Sequence, residues 1–317
     1  RATRAGELLD KRGLTTTWLS QYHDVLGHER MPRPRATQQV APHVHDHGGK
    51  TARRRQPPLS VLPATMDAEE RAERFRPRED VAAVRLAELK EQYARKREAY
   101  VAQGTKLVGT CMDMCPEYER VEREVQKELD RFEVVPGTQQ ADARLAVKIY
   151  RRPAAGRELP LPEEVRPPAV LQQTLDYLVH QLVPREPSDP HFAAAQPFLW
   201  NRTRAIRQDF IVQSESGAIA IACHERIARY HILCLHWKGG VGAEAWSEQQ
   251  ELEQLRKTLR SLMEYYDDAR AIGHTYDTEP EFRAYNLLLH VRDPEALREV
   301  ELLPAPAFLA PPLQWAL

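Results

Sequence analysis

Four cysteines in 317 residues are too few to staple a fold of this length. Cys111, Cys115, Cys223 and Cys234 therefore read as reduced thiols, as in cytosol or nucleus, and not as a disulfide framework. Long apolar runs are also missing. None approaches the ~20 residues that a membrane span needs, and no basic start leads into an apolar stretch of the secretory kind. Net charge is nearly absent, with 45 Lys plus Arg against 46 Asp plus Glu, so the chain as a whole does not attract a polyanion. The sequence also lacks a Gly-x-x-x-x-Gly-Lys loop, a Gly-x-Gly-x-x-Gly turn and a Gly-x-Ser-x-Gly elbow. Nothing in it assembles a nucleophile, a base and an oxyanion site. The reading is a non-enzymatic protein with no catalytic residue, no cofactor and no metal.

The charge that is present is unevenly spread. Residues 1–105 hold 20 basic and 14 acidic residues, whereas 106–317 hold 25 and 32. A modestly basic arm precedes a modestly acidic body. Residues 1–65 are proline-interrupted and sustain no apolar period, so they are expected to be disordered or ordered by a partner. Residues 66–108 read as a charged helical linker, with a helix over 78–103 and a stripe of Val81, Val84, Leu86, Leu89, Tyr93 and Tyr100.

Residues 109–317 read as all-α. No proline falls between Phe198 and Glu279, which long helices require. Ile219, Cys223, Ile227, Tyr230 and Cys234 recur at helical spacing, as do Leu252, Leu255, Leu259, Leu262 and Tyr266, so each set forms one buried face. Asp293-Pro294 and Cys115-Pro116 are helix starts. Gly217, Gly239, Gly240 and Gly273 mark helix ends. About eight helices follow residue 110, packed as a bundle or as a stacked solenoid; the pattern alone does not separate these.

Candidate chemistry is thin. His43, His45, Asp46 and His47 form a metal-like cluster in the arm, without the fixed tetrahedral frame of a structural site. Cys115, near a helix start, has either a lowered pKa and a reactive thiol or a place in a buried turn with Cys111; the turn is preferred. His224, Glu225 and His231 lack the i, i+4 histidines of a zinc protease helix. Arg202, Arg204 and Arg207 are the densest charge on an otherwise core-like helix. Exposed, they would meet RNA phosphates or an acidic partner. Buried, they would pair with Asp209 or an acid on the next helix, and this reading is preferred. Arg53, Arg54 and Arg55 form a short basic run of the nuclear-import or nucleic-acid type.

The run from Gly109 through Cys111, Met112, Asp113, Met114, Cys115 and Pro116 to Arg120 resembles the signature of the GANP family. In fungi this is the leucine permease transcriptional regulator family. The likeness continues through Phe132–Thr138, Ala146–Gly156, Arg166–Leu171, Phe198–Phe210, Ala228–His236 and Glu281–Leu289, and it is closer to fungal members than to animal ones. The resemblance implies a PCI-type α-solenoid, with Cys111, Asp113, Met114, Cys115 and Pro116 as an architectural turn and Arg166-Pro-Pro as a helix start. It further implies that 109–317 is a scaffold domain incomplete at its C-terminus, with the family's winged helix not in this chain. The implied role is a scaffold of the nuclear TREX-2 complex, linking transcription to mRNA export at the nuclear pore. The implied partners are a second PCI subunit, a small acidic subunit, the mRNA export receptor through the N-terminal arm, and RNA, with no membrane. Two other readings are an RNA-binding module acting through the basic clusters and a centrosome- or spindle-associated member of the same family.

Overall fold

A computed structural model describes residues 78–101, 107–152, 160–184, 186, 188–238, 240 and 246–317. The arm over 1–65, with the histidine cluster at 43–47 and the arginine triplet at 53–55, lies outside the described residues, as does Gly239. Among the described residues the secondary structure is helical, and the one β contact is an isolated antiparallel bridge between Val134 and Ala141. No described helix is long and apolar enough to cross a membrane.

The helices are α1 (Arg78–Val101), α2 (Glu117–Val125), α3 (Pro168–Tyr177), α4 (Pro190–Val212), α5 (Ala218–Trp237), α6 (Glu248–Ala271), α7 (Glu279–Leu289), α8 (Pro294–Glu301), α9 (Ala305–Phe308) and α10 (Pro311–Ala316). Local chemistry explains most of the boundaries. The Asp189 side chain accepts from the His191 amide at 2.9 Å with Pro190 at the first helical position, and Asp293 does the same for the Glu295 amide ahead of Pro294. At α2 the start falls one residue later than expected, with Pro116 itself as the capping residue. α4 also runs through Pro197, N-terminal to the proline-free stretch. The missing hydrogen bond there is offset by burial of Phe192, Ala195, Phe198 and Leu199 around it. Lys238, with φ 50°, closes α5, and Gly273, with φ 83°, follows α6 in the left-handed region that favours glycine.

Packing proceeds along the chain. Cys223, Ile227, Tyr230 and Cys234 of α5 face a cluster with Leu171 and Leu175 of α3 and Phe192, Ile206 and Phe210 of α4. The other side of α5, through Ile221 and Ala228, joins Leu255, Leu259, Leu262 and Tyr266 of α6 and Phe282 of α7. A third cluster links α7 to the C-terminal helices through Ala284, Leu287, Ala296, Val300 and Leu313. Each cluster is handed on by a shared helix, the layout of a helical solenoid. α1 docks on α2 and on the 3₁₀ turn Pro162–Glu164. Leu89 and Tyr93 are buried against Leu161, and the Tyr93 and Tyr118 rings stack at 4.9 Å. Val81 and Val84, expected in the stripe, are instead 62% and 61% exposed, because the docked face of α1 starts only at Leu86.

α5 also carries a fully buried imidazole. His224 lies among the rings of Phe210 and Tyr265, with Nδ1 at 2.7 Å from the Ala220 carbonyl. Burial, helped by the nearby Arg207 cation, lowers its pKa to about 3. The unfolded chain binds this proton near pH 6.5 and the folded chain does not. The stability contribution is therefore full above that pH and is lost as pH falls towards 3. Between pH 7 and 5 the wild type should lose about 2 kcal/mol through this group, before the carboxylates titrate. The urea midpoint of His224→Leu, which removes the titrating ring, should move less over the same interval.

Candidate functional site

The signature turn is built into the interior. Gly109 opens an extended segment: its amide donates to Gln213 Oε1 at 2.8 Å, the Thr110 amide to the Pro162 carbonyl at 2.8 Å, and the Cys111 amide to the Val165 carbonyl at 3.0 Å. A Cβ on Gly109 would lie 2.6 Å from the Val165 oxygen and 2.8 Å from Gln213 Oε1, closer than atoms approach without displacement. Gly109→Ala is expected to cost roughly 1–3 kcal/mol, the scale of overpacking, read as a lowered urea midpoint.

Within the turn, Cys111, Cys115 and Pro116 are buried, Met114 is half-buried, and Met112 and Asp113 face solvent. The Met114 carbonyl accepts from the Lys148 amide at 3.0 Å and from Arg166 Nη1 at 3.2 Å. Cys115 Sγ sits 3.3 Å from Arg123 Nη2. Burial pushes its thiol up to about 12, with the Glu119 carboxylate acting in the same direction and the Arg123 guanidinium opposing it. A reactive, low-pKa Cys115 is thus replaced by a buried structural thiol. Burial likewise raises Cys111.

Two carboxylates organise everything around this turn. Glu133, fully buried in the loop after α2, accepts from Arg123 Nη1 at 2.7 Å and Nη2 at 3.1 Å and from Arg202 Nη2 at 2.8 Å. It also accepts from the Val147 amide at 2.9 Å and the Asp130 amide at 3.2 Å. Burial alone would raise its pKa, but Arg202 and Arg123 hold it below the usual range, so it is an anion. Asp209 of α4 accepts from Arg166 Nε at 2.8 Å and from Lys148 Nζ at 2.6 Å, and Gln213 Nε2 donates to the Arg166 and Asp209 carbonyls.

Between these hubs runs a strap, residues 146–152, that is neither helix nor strand. Its main chain is satisfied from outside: the Val147 amide by Glu133, the Lys148 amide by the Met114 carbonyl, the Ile149 amide by Glu119 at 2.7 Å, and the Tyr150 amide by Asn201 Oδ1 at 3.0 Å. Gln208 Nε2 donates to the Arg151 carbonyl at 3.0 Å. A partly buried chain without regular structure must find partners for its amides, and here carboxylates and amide side chains of α2, α4 and the Glu133 loop supply most of them.

The arginine cluster divides. Arg202 is 6% exposed and committed to Glu133, and Arg207 is 7% exposed with Nη1 at 3.4 Å from Gln254 Oε1. The exposed, phosphate-reading role is corrected for both, because their guanidinium groups point into the fold. The expected partners were Asp209 or an acid on the next helix, but the Asp209 oxygens are taken by Arg166 and Lys148, and Arg202 pairs instead with Glu133 of the loop after α2. Arg204 is half-buried and stacks on Tyr150 at 3.8 Å and Trp200 at 4.2 Å. Away from the turn, His231 and Glu251 form a buried pair completed by Gln196, while His224 is bound separately. Sequence reasoning missed Glu133, Arg123 and the hub role of Asp209. The available signal was an acid or base inside an otherwise apolar run, as in Phe132-Glu133-Val134-Val135.

A model of the SAC3/GANP family matches residues 114–317. The chain is similar to SAC3 family protein 1 of Schizosaccharomyces pombe, 51% identical over 204 residues that cover 63% of this chain and 19% of that protein. It is also similar to SAC3 family protein B of Arabidopsis thaliana, 40% identical over 193 residues (59% of this chain, 11% of that protein). Protein xmas of Drosophila melanogaster is 35% identical over 213 residues (66% of this chain, 10% of that protein). The chain thus spans a fifth or less of the length of each of these relatives.

Proposed function

The chain belongs to the SAC3/GANP family, and from that premise we propose that it is a non-enzymatic scaffold of a nuclear, transcription-coupled mRNA-export complex of the TREX-2 type. Its task in this reading is to present a rigid helical stack on which other subunits assemble. The observation that carries the reading is where the family signature spends its polar groups. Cys115, Arg123, Glu133, Arg166 and Asp209 are all buried and bonded to one another or to main chain. Such groups hold a shape and offer no face to a substrate.

The proposed partners are a second PCI subunit and a small acidic subunit on the helical body, and the mRNA export receptor on the N-terminal arm. The proposed location is the nucleus, at the nuclear pore and the nuclear envelope periphery. Affinity purification of the tagged full-length protein should recover the second PCI subunit and the small acidic subunit in comparable amounts; recovery of neither would sink the proposal. Fluorescence of the same tagged protein should mark the nuclear rim, whereas a centrosomal signal would favour the spindle-associated branch.

A further inference from the structure

Interior arginines of this fold are paired with acids: Arg123 and Arg202 donate to Glu133 and Arg166 to Asp209, and all three are buried. Arg204 of α4 is different. It is half-buried, with its guanidinium carbon 3.8 Å from the centre of the Tyr150 ring and 4.2 Å from that of the Trp200 ring, and both rings are themselves half-buried. The two ring faces fix the guanidinium in place without taking any of its N–H donors. Those donors have no hydrogen bond or ion pair among the described residues. Nor are they shut away: Arg123, Arg166 and Arg202 each keep one nitrogen buried and unbonded, and Arg204 keeps none, so its N–H groups face water.

A second cation is placed on the same surface by the strap. Tyr150 meets Arg204, and Gln208, one turn further along the same face of α4, donates from Nε2 to the Arg151 carbonyl at 3.0 Å. Arg152 follows at that point. It is exposed and makes no hydrogen bond or ion pair among the described residues, whereas Arg151 is committed to Glu122 at 2.7 Å. The α6 carboxylate that senses Arg204 is Glu253, and it is bonded to Lys257 at 2.6 Å. Two guanidinium groups therefore lie along neighbouring turns of one solvent-reached surface, and the fold supplies neither with an acid.

We propose that the surface formed by Arg204 and Arg152, with Tyr150 and Trp200 as its aromatic walls, docks an acidic segment of a partner protein, with a glutamate or aspartate carboxylate on Arg204. A carboxylate matches the planar donor fork of a guanidinium, and a fork already held by two rings loses little freedom on binding it. Tyrosine, tryptophan and arginine are also the residues in which interface binding energy concentrates. Single-stranded RNA fits this surface less well for two reasons. It stacks its bases on open aromatic faces and lays its phosphates along a path of cations, whereas both rings here are stacked on Arg204 and the cations are two. The surrounding body, residues 106–317, holds 25 basic against 32 acidic residues and gives a long polyanion no general attraction. The proposal takes from the scaffold reading only that the partner is a protein.

The test is fluorescence anisotropy at low ionic strength with the full chain and a rhodamine-labelled peptide of alternating glutamate and alanine. Its glutamine counterpart and a single-stranded oligo-uridine are the comparisons. The glutamate peptide should bind and the glutamine peptide should not. Arg204→Gln should weaken binding by about tenfold, the loss of a charge-assisted hydrogen bond. Arg204→Lys, which keeps the charge and loses the planar fork, should weaken it nearly as much. Arg152→Gln should weaken it by about threefold, the scale of an exposed pair; its exposed position keeps the test valid should Arg204→Gln lower the urea midpoint. No binding of the glutamate peptide, wild-type affinity in Arg204→Gln or Arg152→Gln, or full rescue by Arg204→Lys would overturn the proposal. So would oligo-uridine binding that depends on the same two arginines. Recovery of the PCI subunits by the full-length protein is scored separately, so failure of this surface and failure of the scaffold reading are told apart.

Discussion

Glu133→Gln should destabilise the fold by about 3–5 kcal/mol or more, the cost of breaking a buried ion pair. The substitution keeps shape and volume but removes the carboxylate to which Arg123 and Arg202 both donate, leaving Arg123 only the Glu119 carboxylate at 3.5 Å. Both guanidinium groups then remain buried as cations facing a neutral amide, half of which is itself a donor. Domains are typically stable by only about 5–15 kcal/mol, so the variant should be substantially unfolded at growth temperature. Arg202→Met should cost less, because Glu133 keeps its bidentate partner Arg123. Replacing all three residues by apolar ones of similar volume should recover much of the loss. Urea titration followed by helical circular dichroism reads all three. A drop under about 1 kcal/mol for Glu133→Gln, the scale of an exposed pair, would show that Glu133 is not the hub described.

Asp209→Asn is the second large effect, again about 3–5 kcal/mol. Arg166 is fully buried, and its Nε loses the anion at 2.8 Å, while Lys148 Nζ loses the one at 2.6 Å and keeps only the Glu164 carbonyl. The consequences should be local as well as global. Lys148 belongs to the strap, and Arg166 immediately precedes the prolines that start α3. Amide exchange at Val147, Lys148, Ile149 and Tyr150 should accelerate in Asp209→Asn before the α5 and α6 amides do, because strap protection rests on three side-chain acceptors and the Met114 carbonyl and not on a helix ladder. Uniform acceleration across the molecule would mean that the strap is not separately held.

What the sequence made legible was local. The spacing of Cys223, Ile227, Tyr230 and Cys234, and of Leu255, Leu259, Leu262 and Tyr266, reflects a period that each helix imposes on itself, and both faces are buried. The caps at Asp293 and Pro294 needed only neighbouring residues. The hubs were not legible in this way. Arg202 and Glu133 lie 69 residues apart and Arg166 and Asp209 lie 43 apart, and no periodicity records such a pairing. The arginine cluster misled for a related reason: three arginines at positions 202, 204 and 207 look alike in one dimension. In the fold one is neutralised by a distant loop, one is stacked between rings and one is buried without an acid. Cys115 shows the same limit, since a helix start lowers a thiol pKa only while water reaches it, and burial reverses the sign.

The central claim is that the polar chemistry of the signature region serves shape alone. It is tested most directly by measuring, for one series of full-length variants, both the urea midpoint and recovery of the second PCI subunit. The series is Cys115→Ala, Gly109→Ala, Asp209→Asn and Glu133→Gln. The account predicts that partner recovery falls in step with stability, and that Cys115→Ala retains partner recovery in proportion to whatever stability it keeps. A variant that stays as stable as the wild type and loses the partner, Cys115→Ala above all, would contradict it.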